Sequence, residues 1–179
     1  MFTLDKTGVK LTGIYGRRAG LESLDYNNLE KKHLEEEKGV KIFLFHTTLD
    51  EFKPEEFEKV QGQSYSTLPK NFNYYAGGHV HYLFDKKIEG YGKIVYPGPL
   101  FPNNFKELEE LKCGRFCIVD DNLNLRRIEI KLKEVESFNI DVNGLNPNEA
   151  ETKIIRELVD KELKDKIVTL RVFGELSSG

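Results

Sequence analysis

The sequence predicts an α/β fold, in which short apolar strands alternate with helices or loops and a small β-α-β unit follows. Three observations carry that expectation. Residues 40–45 form a nearly continuous apolar run of strand length, the pattern of a strand covered on both faces, and residues 72–76 repeat it. Residues 21–38 place Leu21, Leu24, Leu29 and Leu34 in a broken helical stripe between two strand patterns. Residues 137–142, 148–163 and 167–173 read as strand, helix and strand, with Ile154, Ile155, Leu158 and Leu163 on one helical face.

In chain order, residues 9–15 alternate as a strand, and Gly13, Gly16 and Gly20 with Arg17 and Arg18 make the loop after it. The helix over 21–38 ends where Gly39 can take the left-handed capping position. The strand over 40–45 runs into His46. Residues 54–60 predict a short helix opened by Pro54, followed by a polar loop over 61–70. The strand over 72–76 leads into Gly77-Gly78-His79-Val80-His81. Gly90 to Gly92 form a hairpin turn into a strand over 93–96, which Pro97-Gly98-Pro99 breaks. Residues 115–119 and 125–132 pair as a hairpin across the turn 120–124. The change of pattern near Glu136 predicts two domains, 1–136 and 137–179.

Composition narrows the class. In 179 residues, 39% hydrophobic and 32% charged residues with 12 Phe and 8 Tyr describe a folded protein rather than a disordered one. A net charge of -3 gives no global attraction to nucleic acid, so such binding requires a local patch, a metal or a partner. Cys113 and Cys117 lie four residues apart in a strand pattern, about 13 Å at roughly 3.3 Å per residue and beyond disulfide reach. A cytoplasmic setting is expected from this cysteine usage. No apolar run has the length of a membrane span or export signal. Both ends run into or out of strand-like sequence, as expected of an internal piece of a longer protein.

Three of the four histidines sit at strand ends. Ligands of open α/β sheets gather at the carboxyl ends of strands, so His46 and the pair His79/His81 could converge. An extended i, i+2 pair puts two imidazoles on one face, spaced to hold metal ions about 3.5–4 Å apart. A strand-end histidine taken singly is more often a hydrogen-bonded or surface residue. His33 belongs to a Glu/Lys-rich helix face and reads as solvated.

The run Tyr74-Tyr75-Ala76-Gly77-Gly78-His79-Val80-His81, followed by Val95-Tyr96-Pro97-Gly98-Pro99-Leu100, resembles the last motif block of the calcineurin-like metallophosphoesterases. Among them it resembles the double-strand-break repair nucleases of the Mre-eleven/SbcD family. His46, closing Ile42-Phe43-Leu44-Phe45, matches that family's preceding ligand histidine, with Thr47-Thr48 where Gln-Gly often follows; Pro99 stands where the family has serine. The resemblance implies the C-terminal half of a metallophosphoesterase β-sandwich flanked by helices, followed by part of a β-α-β capping domain. It implies His46, His79 and His81 as metal ligands and two Mn²⁺ ions in the complete protein. It further implies DNA phosphodiesters as substrate, a homodimer, and a Rad-fifty/SbcC-type ABC ATPase as partner, with no membrane. The family's Asp-x-His, Gly-Asp-x-x-Asp and Gly-Asn-His motifs do not occur in these residues. The chain alone is therefore expected to be inactive. The rival readings are a non-catalytic module that binds DNA or the ATPase, and a metallophosphoesterase acting on nucleotides or phosphoproteins.

Other signatures are missing or weak. There is no Gly-x-Ser-x-Gly elbow and no Gly-x4-Gly-Lys-Ser/Thr loop, and the glycines at 13, 16 and 20 have the wrong spacing for a phosphate cradle. Arg126, Arg127, Lys131 and Lys133 could touch phosphates, although a solvated strand face accounts for them more simply.

Overall fold

The computed structural model describes residues 1–17 and 21–177. Arg18 and Gly20 of the glycine-rich loop lie outside the described residues. The chain divides into two compact units, Met1–Pro99 with Arg115–Ile128, and Leu100–Gly114 with Glu129–Gly179.

The first unit is built on one six-stranded sheet. Its strands are β1 (Thr3–Leu4), β2 (Lys10–Gly13), β3 (Lys41–His46), β4 (Tyr74–Gly78), β5 (Leu83–Ile88) and β6 (Gly92–Pro97), in the order β1-β2-β3-β4-β6-β5. β2, β3, β4 and β6 are parallel, and β1 and β5 close the two edges antiparallel. The described residues form this sheet and a separate two-stranded hairpin, β7 (Gly114–Val119) with β8 (Leu125–Ile130). Within the first unit, Arg127 of the hairpin is ion-paired with Asp85 of β5.

The core on one face of the sheet is aromatic. Phe43, Phe45, Phe72, Tyr75 and Tyr96 are buried, with Phe43 against Phe72 and Phe45 against Tyr96 edge-on at 5.4 Å. Edge-to-face rings exploit the positive rim and negative face of the π-system beyond simple area burial. β3 departs from the expectation of cover on both faces. Lys41, Phe43 and Phe45 are buried, whereas Leu44 is 48% exposed, so the strand alternates in burial although its sequence does not. Lys41 escapes the penalty of burying an ammonium by donating to the carbonyls of Leu34 (2.7 Å) and Glu35 (3.2 Å) and lying over the Phe72 ring. Desolvation still pushes its pKa down.

Two sequence expectations need correction here. The single helix over 21–38 is two short ones, α1 (Glu22–Asn27) and α2 (Lys32–Glu36), because the Asn27-Asn28 pair leaves the helical path and Asn28 caps the first. Their buried side chains are Glu22, Tyr26 and Leu34, while Leu21 and Leu24 of the supposed stripe are exposed. The helix over 54–60 reduces to one 3₁₀ turn, Glu55–Phe57. The hairpin expected at 90–92 is formed by β5 and β6, although β5 shows no apolar period of its own because it is an exposed edge strand carrying Asp85-Lys86-Lys87.

In the second unit, β9 (Val135–Asp141) and β10 (Ile167–Phe173) pair in parallel, from Val135 against Ile167 to Asp141 against Phe173. α4 (Pro147–Val159) makes the crossover. Its start is fixed by a capping box in which Asn146 and Glu149 satisfy each other's backbone N–H groups, with Pro147 in the first turn. A helix not foreseen from sequence, α3 (Phe105–Leu111), is capped by Asn104 and tied to β10 through Glu109 and Arg171 at 2.7 Å. Cys113 and Cys117 are free thiols, Cys113 buried and Cys117 partly so. No helix among the described residues is long and apolar enough to cross a membrane.

A side chain at Gly77 would put its Cβ 2.6 Å from both the Phe45 and Tyr96 rings. Gly77→Ala is therefore expected to destabilise the chain by about 1–3 kcal/mol through overpacking. Urea denaturation checks it. Gly8→Ala, where a Cβ meets nothing within 4 Å, should cost only the smaller penalty of its positive φ.

Candidate metal centre

β3 and β4 are adjacent and parallel, and their register pairs His46 with Gly78. Both strands thus deliver their histidine-bearing ends to the same rim of the sheet. β4 stops at Gly78, and His79 adopts φ 84°, a left-handed conformation that a side chain other than glycine's rarely takes. The expected extended His79/His81 pair is therefore corrected. The left-handed turn breaks the strand before His79, the intervening Val80 is buried, and the two histidines are not successive positions on one strand face. His79 and His46 meet instead. Their ring centroids are 5.2 Å apart at an interplanar angle of 70°.

Two glycines make room for the His46 ring. A Cβ at Gly16 would lie 2.3 Å from His46 Cδ2, and one at Gly78 would lie 2.8 Å from His46 Nδ1. The backbone N–H of His46 donates to the hydroxyl of Tyr26, a buried residue of α1, at 3.3 Å. Burial of that phenol suppresses its ionisation, and the nearby charges of Glu22 and Asp25 add to the effect. For His46, desolvation and the neighbouring His79 push the pKa down, while Glu22 pulls it up. Glu22 itself is 6% exposed, and its Oε2 has no hydrogen-bond partner. Asp25 is ion-paired with Arg17 at 2.6 Å.

His81 follows Val80, half-buried. Its carbonyl runs close to the turn after β6, where a Cβ at Gly98 (φ 80°) would be 3.6 Å from it. The second motif holds the core beneath the site, since the Tyr96 hydroxyl donates to the Thr47 carbonyl at 2.7 Å. His33 lies exposed on α2.

Among the described residues, no three His, Cys, Asp or Glu side chains are gathered into a group able to enclose a metal ion. The donors that do meet are the two imidazoles of His46 and His79, nitrogen ligands of the type that first-row divalent ions accept. Tyr26 and Glu22 were not foreseen. The only trace of them in the sequence is an acid and an aromatic at i, i+4 on a short helix after a glycine-rich loop. The basic cluster is largely paired: Arg127 with Asp85, Lys131 with Glu129 (3.0 Å) and Lys133 with Asp165 (3.4 Å).

A mixed α/β sheet with histidines converging at the ends of neighbouring parallel strands describes a class of strand-end ligand sites. No protein-family profile matches the chain. The chain is 28% identical over 163 residues to the DNA double-strand break repair protein Mre11 of Methanococcus maripaludis, a match that takes in 82% of this chain and 42% of that protein. The similarity is distant, and the chain spans about two fifths of the length of the relative it matches.

If the left-handed turn at His79 is strained, glycine there should relieve it. His79→Gly is expected to be more stable than His79→Ala by about 1 kcal/mol in the metal-free chain. Equal urea midpoints would show that the segment relaxes instead.

Proposed function

We propose that this chain is part of a metal-dependent nuclease of the Mre11/SbcD kind, acting on DNA phosphodiesters in double-strand-break repair. The observation that carries the reading is the meeting of His46 and His79 at the ends of β3 and β4. The distant similarity to the archaeal Mre11 protein supports it.

In this reading His46, His79 and His81 would hold Mn²⁺ through ring nitrogens, two ions being bound in the complete protein together with carboxylates from outside these residues. Bound Mn²⁺ would supply Lewis acidity toward the scissile phosphate and the attacking water. The chain's own contribution is positional. Tyr26 anchors the His46 backbone, Gly16 and Gly78 leave its ring free to face a ligand, and the left-handed turn at His79 brings the second ring alongside. In this reading residues 1–136 would be the C-terminal half of the nuclease domain and residues 137–179 part of a capping domain. The complete protein would work as a cytoplasmic homodimer with a Rad-fifty/SbcC-type ATPase.

The missing carboxylate motifs favour a second statement about the chain taken alone, that it holds metal without cutting DNA. Purified chain should take up Mn²⁺, lose that uptake in His46→Ala and His79→Ala, and leave linear duplex and single-stranded DNA intact. EDTA-sensitive cleavage that disappears in His79→Ala would mean that residues present here complete a catalytic site. Absence of Mn²⁺ uptake by the unaltered chain would favour a non-catalytic module that binds DNA or the ATPase.

A further inference from the structure

β9 and β10 make a sheet of two strands, so each keeps one free edge. Their parallel ladder decides which backbone groups lie on those edges. The N–H of Ile167 donates to the Glu134 carbonyl and the Phe173 carbonyl accepts from the N–H of Val142, so the odd-numbered residues of β10 turn their polar backbone groups toward β9. Val168, Leu170 and Val172 therefore turn theirs outward. On the free edge of β9 the same alternation presents the buried Val135 and then Ser137, Asn139 and Asp141. The β9 edge is mostly polar, whereas the β10 edge carries three exposed apolar residues.

The covering helix leaves the same side open. Leu170 lies beside Phe138 and Val172 beside Ile140, so the three edge residues belong to the sheet face that α4 covers. Ile140, Val142 and Ala150 form the core there, with Ile154 packed against them. Over β10 the cover thins out. Ile155 and Val159 of α4 are exposed, and a groove lined by Ile155, Val172, Phe173 and Leu176 runs between helix and strand. An apolar edge strand of this kind is a template for adding another strand.

The strand is its own complement. We propose that β10 pairs antiparallel with β10 of a second copy of the chain, about a twofold axis at Leu170. In that register Leu170 faces its counterpart and Val168 faces the partner's Val172. All three outward-facing positions then exchange N–H and C=O bonds across the axis. Their side chains fall on the α4 side of a four-stranded sheet, where Ile155 and Val159 of the two helices gain apolar neighbours. Charge agrees with this direction. It brings the exposed Lys164 before one strand close to the exposed Glu175 after the other, while Asp165 is already paired with Lys133 at 3.4 Å. Arg171, held by Glu109, falls opposite Thr169 rather than a second arginine. A twofold contact of this kind closes at the dimer. The inference does not rest on the metal reading, and Mn²⁺ plays no part in its test.

Sedimentation velocity of the full chain at rising concentration reads the association, with circular dichroism as the check on folding. The parent should sediment as a dimer that dissociates reversibly on dilution. Leu170→Pro removes an outward N–H and no bond to β9, a change that edge strands accept. It should be monomeric with a parent-like spectrum, and Leu170→Lys likewise. A gain-of-signal variant keeps the test sound if the proline variant unfolds. In Leu170→Cys the two Cα atoms would lie about 5.5 Å apart, within disulfide reach. With oxidised glutathione it should form an intermolecular disulfide, which the parent, with free Cys113 and Cys117, should not. A parent that stays monomeric would overturn the proposal. So would a dimer that survives in folded Leu170→Pro or Leu170→Lys, a Leu170→Cys chain that cross-links no faster than the parent, or association that continues past the dimer.

Discussion

The parallel register between β3 and β4 is the constraint on which the rest of the first unit depends. With Ile42 against Tyr74 and Phe45 against Gly77, His46 falls opposite Gly78. A slip of one residue would exchange the faces of the strand. It would turn Lys41, Phe43 and Phe45 out of the core and take His46 away from His79. Packing locks the register where a side chain is missing. Gly77 lets the Phe45 and Tyr96 rings close to 5.4 Å, and Tyr96 in turn holds the Thr47 carbonyl just beyond His46. The glycines of the Gly-Gly-His run thus have separate duties. Gly77 admits aromatic core, and Gly78 admits the His46 ring.

The parts of this arrangement that could be read from sequence were those dictated by local chemistry. Strand-length apolar runs identified β3 and β4, and the full extent of β10 was legible because Ile167–Phe173 is a β-rich run bounded by Asp165-Lys166 and Gly174. Convergence of His46 with the Gly-His-x-His segment followed from the rule that sites form at strand ends, and the ring contact with His79 agrees with it. What was not legible depended on tertiary surroundings. Leu21 and Leu24 looked like core and are exposed, because Tyr26 and Glu22 take the inward positions of a helix too short to have a measurable period. Lys41 interrupts the apolar run over 40–45 and is nonetheless buried, because two carbonyls at the end of α2 accept from its ammonium. The left-handed backbone at His79 was not legible because histidine, though enriched at φ > 0 relative to most side chains, takes it only in a minority of cases, and the chain also places Lys112 and Leu123 there.

Departures from local preference occur at the histidine rim and away from it. At the rim lie a histidine at positive φ and a second histidine whose pKa is pushed down by desolvation and by its neighbour. Elsewhere Asn71, Lys112, Leu123 and Asp165 also take positive φ and the hydroxyls of Thr48 and Tyr82 are buried without a partner, whereas the capping box of α4 and the Arg127–Asp85 pair follow local preference. Under the proposed function, a chain of net charge -3 would meet a polyanion through bound cations, since most of the basic cluster is already paired with acids.

The most direct test of the central claim is an anomalous difference map from crystals of the chain grown with Mn²⁺. The account predicts a peak within bonding distance of ring nitrogens from both His46 and His79. A map with His46 and His79 turned apart, and Mn²⁺ either absent or bound only by exposed surface carboxylates, would contradict it.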